Sequence, residues 1–84
     1  MNRETSESAP QRYCRRMTVA HIRFGEHADY DEVMFLESAR FYRLVKRRAD
    51  YGSMLEKLRK AQTDALPVMV CFASFEADVI EEVG

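Results

Sequence analysis

Three glycines in 84 residues, at Gly25, Gly52 and Gly84, are too few and too scattered to build a loop that cradles phosphate. Such loops need clustered residues without a Cβ, so that backbone N–H groups can approach the anion; the P-loop and dinucleotide-binding classes are therefore excluded. No apolar stretch comes near the roughly 20 residues of a membrane span. The N-terminus is polar and lacks the apolar core of a secretory signal, so the expected compartment is the cytoplasm. Cysteine is scarce as well. Two residues, Cys14 in a basic segment and Cys71 in the most apolar run, do not make a disulfide framework, and two reduced thiols are expected. Cys71 then acts as a small hydrophobe.

What is present supports one small domain. Residues 1–16 have little to bury and read as a disordered N-terminal tail, leaving 17–84 as a single folded unit. A chain of this size buries only about 60% of the surface its unfolded form exposes, so marginal stability is expected. It also leaves little room for a deep enzymatic pocket.

From Met17 to Phe24 the chain alternates as a half-buried strand, with Ile22 and Phe24 expected to point inward. Gly25 to Asp31 has loop composition. Between Glu32 and Arg48 both periods are partly satisfied. The adjacent aromatics Phe41 and Tyr42, with a polar break at Glu37-Ser38, favour two short strands or one bent strand. Asp50 to Ala65 reads as an amphipathic helix, with Asp50 as cap and Tyr51, Met54, Leu55, Leu58, Ala61 and Ala65 on its apolar stripe. Pro67 ends it by forcing Leu66 out of the helical region. Val68 to Ala73 then reads as a buried central strand, and the acidic segment to Val83 as a half-exposed last strand. The fold class is α+β: a small, mainly antiparallel sheet, open or curled toward a barrel, packed against one helix. A helix covers one face of a sheet, so the other must be closed by curvature or by a second chain.

The near-zero net charge conceals blocks. Gln11 to Phe24 holds four arginines and no acid; Gly25 to Glu37 holds five acids and no cation; Arg40 to Lys60 holds eight cations against two acids; five acids and no cation follow. The basic residues Arg40, Arg43, Lys46, Arg47 and Arg48 interleave with Phe41 and Tyr42, the pairing of cations and aromatic planes that polyanion surfaces use. The flanking acids and the near-neutral balance oppose that use.

No catalytic constellation emerges. His21, His27, Asp29 and Asp31 lack structural-zinc spacing and read as a hydrated loop, so no metal or cofactor is expected. Cys71 with His21 or His27 is the one conceivable thiol and base pair, but an apolar strand raises a thiol pKa instead of lowering it. Ser38, Ser53 and Ser74 stand outside any Gly-x-Ser-x-Gly context, and Asp78, Glu81 and Glu82 read as the wet face of a strand. The expected function is a small non-enzymatic protein-interaction or regulatory module that self-associates as a dimer or binds another protein. The alternative is a nucleic-acid-binding domain using the segment from Arg40 to Arg48.

Overall fold

A computed structural model describes residues 12–84. It consists of two three-stranded antiparallel sheets and one helix, a small α+β domain. Strands β1 (Tyr13–Met17) and β2 (Val19–Arg23) are halves of one path bent at Thr18. Strands β3 (Tyr30–Phe35) and β4 (Phe41–Val45) continue from β2 as a meander, followed by α1 (Tyr51–Asp64). Strands β5 (Val68–Phe72) and β6 (Ile80–Val83) form a hairpin whose β5 returns to pair with β1. The sheets are therefore β1-β5-β6 and β2-β3-β4.

The strand begins four residues before Met17, so residues 12–16 belong to the described fold and are not tail. The rest of the expected tail lies outside the described residues. Thr18 makes the corner: its N–H donates to Glu37 Oε1 at 2.7 Å and its carbonyl accepts from the Leu36 N–H at 2.9 Å. The bend lets both neighbours, Met17 and Val19, enter the same core. The Thr18 N–H also holds the Glu37 carboxyl below its ordinary pKa.

An irregularity between Val19 and His21 inserts one residue into β2. Val19 and Ile22 consequently both face inward although they are three apart, and strict alternation fails. Phe24 shares the parity of Ile22 and is expected inside, but β2 ends at Arg23; Phe24 follows the strand and is 51% exposed, with its ring 6.0 Å from the Arg59 guanidinium. Strands β3 and β4 keep regular alternation: Asp31, Val33 and Phe35 point inward from one, Tyr42 and Leu44 from the other. The hairpin β5–β6 has its own shift near Cys71, which turns both Ile80 and Val83 to the core.

The sheets do not close into a barrel. They meet at the Thr18 corner and at one parallel bridge, Arg43 with Val79, where the Arg43 N–H donates to Asp78 O at 2.7 Å. Their inner faces share one core, in which the Tyr42 ring lies between Phe35 (5.5 Å between centroids) and Phe72 (4.9 Å). The helix adds Met54, Leu58 and Ala61, packing chiefly against β2, β6 and β4. Asp50 stands at its N-cap position but makes no capping bond, because its carboxylate instead accepts from Arg48 Nε at 3.1 Å. At the other end Ala65 is left-handed (φ 56°), and the Ala65 and Leu66 N–H groups close onto Gln62 and Ala61 carbonyls. No helix among the described residues is long and apolar enough to cross a membrane.

Candidate interaction surface

Pleating sends alternate residues of each strand away from the core. On β2-β3-β4 the outward positions form three cross-strand rows. His21 stands beside Met34 and Met34 beside Phe41; Arg23 beside Glu32 and Glu32 beside Arg43; Tyr30 beside Val45. Arg23 Nε lies 3.2 Å from Glu32 Oε1, and the Arg43 guanidinium sits 4.8 Å from the centre of the Tyr30 ring. Phe41 is 48% exposed; Leu36, next on the outward parity of β3, is 71% exposed. The face thus carries a charged row of alternating sign beside a row containing exposed apolar groups.

The five basic positions singled out from sequence do not form one patch. Arg43 is on this face. Arg40, in the β3–β4 turn, donates to Glu76 O at 2.9 Å and lies 5.4 Å from the Tyr42 ring. Lys46 turns to the domain interior, 3.8 Å from Asp31 Oδ1 and bonded to Gly25 O. Arg48 bridges Asp50 and Glu81, with Nη1 at 2.9 Å from Glu81 Oε1, and those two carboxylates raise its pKa further. Arg47 is exposed, with no ion pair among the described residues.

Asp31, read from sequence as a loop acid, is fully buried. Its Oδ1 accepts the Gly25 N–H at 3.1 Å and its Oδ2 accepts the Tyr51 hydroxyl at 2.6 Å. The phenol is pushed up to about 12 by donating to that carboxylate, with burial adding to the shift. The network ties the β2–β3 loop, the end of β4 and the first helical turn together. Only its parity marks Asp31 in the sequence, since it alternates inward with Val33 and Phe35.

The second sheet turns a different face outward. Cys14 and Cys71 stand directly opposite each other on β1 and β5 and are joined by a disulfide, which corrects the expectation of two reduced thiols. The cause is the early start of β1: Cys14 is a strand residue in register with Cys71. The bond also removes any catalytic thiol from the described residues, and His21 lies on the other sheet. On the outer side of β5, Cys71 is only 6% exposed beneath the bond, while Met69 is 36% exposed. Among the described residues no group of three or more His, Cys, Asp or Glu is placed to hold a metal ion. No family model matches this sequence, and neither a curated protein nor a solved structure matches it.

Proposed function

We propose that the chain is a non-enzymatic interaction domain that works through the outer face of β2-β3-β4, with a second copy of itself as partner. The observation that carries this reading is Phe41, 48% exposed on a regular strand and continuous with Met34 and the exposed Leu36. An aromatic with one face in water gains by being covered, and aromatics and Met are enriched at interfaces. The charges favour self-pairing. A two-fold interface sets one patch against its own copy, so it needs both signs, and the row Arg23–Glu32–Arg43 supplies them. The disulfide favours an oxidising compartment over the expected cytoplasm, because such bonds persist where thiols are not held reduced.

A second reading rests on Tyr30, Phe41, Arg23 and Arg43 as a stacking and phosphate-binding platform for a single strand. The bent β1–β2 path, the meander and the β5–β6 hairpin resemble the Greek-key order of small, partly open barrels that bind oligonucleotides and oligosaccharides. Likeness of fold does not choose a ligand. Glu32 in the middle of the face, and the inward engagement of Lys46 and Arg48, weigh against a polyanion. Sedimentation at low salt, with and without a generic single-stranded oligonucleotide, separates the two. Self-association without oligonucleotide supports the first reading; a monomer that shifts only when oligonucleotide is added supports the second.

A further inference from the structure

The geometry points to the Cys14–Cys71 disulfide as a thiol-exchange site that takes small anionic thiols at Cys14. Three observations carry this, and none depends on the proposed interaction surface. First, the bond lies on the outward side of β1-β5-β6, with its two halves unequally accessible: Cys14 is exposed, whereas Cys71 is 6% exposed. Exchange requires the attacking thiolate to reach one sulfur, so access selects Cys14. Second, Arg12 and Arg16 flank Cys14 at two-residue spacing along the chain, with Cys14 and Arg16 both outward on β1. Arg12 is paired with Glu82, which stands opposite Cys71, while Arg16 has no carboxylate partner among the described residues. Among the described residues the immediate surroundings of the bond therefore carry a net positive charge, which attracts a negatively charged thiol. Third, the disulfide joins neighbours that the β1–β5 ladder already holds in register, so opening it does not require the core to part.

A thiolate attacks Cys14 Sγ, the Cys14–Cys71 bond breaks, and its electron pair leaves on Cys71 Sγ, which takes up a proton. The product is a mixed disulfide on Cys14 with a free thiol at Cys71. A second thiolate then attacks the small-molecule sulfur of that mixed disulfide and releases Cys14 as a thiol. In sum two small thiols are oxidised to their disulfide and the protein disulfide is reduced to two thiols. Exposed disulfides are the labile members of their class, and this one is placed to report the thiol poise around it.

The test uses the oxidised protein with mercaptoacetate as the anionic probe and cysteamine as the cationic one, quenched with acid and mapped by peptide mass. The adduct is expected on Cys14, and the rate is expected to be independent of urea below the unfolding transition. Arg16→Glu should slow mercaptoacetate by about threefold and speed cysteamine by a similar factor, the effect of reversing one partly screened surface charge. An adduct on Cys71, or a rate that rises with urea in step with global unfolding, would overturn the site. Equal effects of Arg16→Glu on both thiols would overturn the charge argument. Arg16 lies outside the core, and a matching far-UV spectrum of the variant secures the comparison.

Discussion

The Tyr51 hydroxyl donates to Asp31 Oδ2 at 2.6 Å, joining the first turn of α1 to a carboxylate that solvent does not reach. Asp31 has two further neighbours, the Gly25 N–H and the Lys46 ammonium. Removing the hydroxyl leaves a buried charge short of one partner. Tyr51→Phe is expected to cost about 1–3 kcal/mol in chemical denaturation. A loss within error of zero would mean that Asp31 is adequately served by the other two.

The same bond sets an alkaline limit. The folded phenol is raised to about 12, above its unfolded value near 10. Its contribution is therefore fully present below the unfolded value and is lost as pH rises through the folded one. Stability measured against pH should show a decline entering near pH 10 that Tyr51→Phe lacks. Identical slopes in the two proteins would remove Tyr51 as its source.

Reduction should cost about as much as the largest core truncation. The disulfide closes a loop spanning 57 residues of separation, nearly the whole domain apart from β6. Chain-entropy arguments assign such a loop roughly 4 kcal/mol, a large share of the stability of so small a domain. The double variant Cys14→Ser, Cys71→Ser is expected to unfold at much lower denaturant than the oxidised protein. An unchanged midpoint would show that the ladder alone holds β1.

Ala65 occupies the left-handed residue at the end of α1, a position that glycine takes without strain. Ala65→Gly is expected to stabilise the domain by about 0.5–1 kcal/mol. Leu58, fully buried on the helix stripe, should behave in the opposite sense: Leu58→Ala is expected to cost about 2–5 kcal/mol. A helix whose stability ignored both changes would not be packed as described.

Local periodicity carried much of this fold. The stripe Met54-Leu58-Ala61 and the break at Pro67 place the helix, and the alternation through Phe35 and Tyr42 places β3 and β4. What stayed hidden depends on contacts distant in sequence. The bulge at Val19–His21 turns Val19 inward beside Ile22 because β3 fixes the register, and no pattern within β2 announces it. Cys14 becomes a strand residue only because β5 returns 57 positions later to pair with it. Asp31 looks like a loop acid until Tyr51 arrives from the helix. On the candidate face, the charge blocks were visible from the start, but their apportioning was not: Lys46 and Arg48 turn to Asp31 and Glu81, which leaves Arg43 and Arg23 outside with Phe41.

The most direct test of self-association through β2-β3-β4 is sedimentation of the oxidised protein at tens of micromolar, beside the double variant Leu36→Ser, Phe41→Ser. Both substituted residues are exposed, so the fold should survive, and far-UV circular dichroism checks that it does. The wild-type protein is expected to sediment above monomer mass with a concentration-dependent coefficient, and the variant as a monomer throughout. A wild-type protein that remains monomeric over the whole range, or a variant that associates as the wild type does, would contradict it.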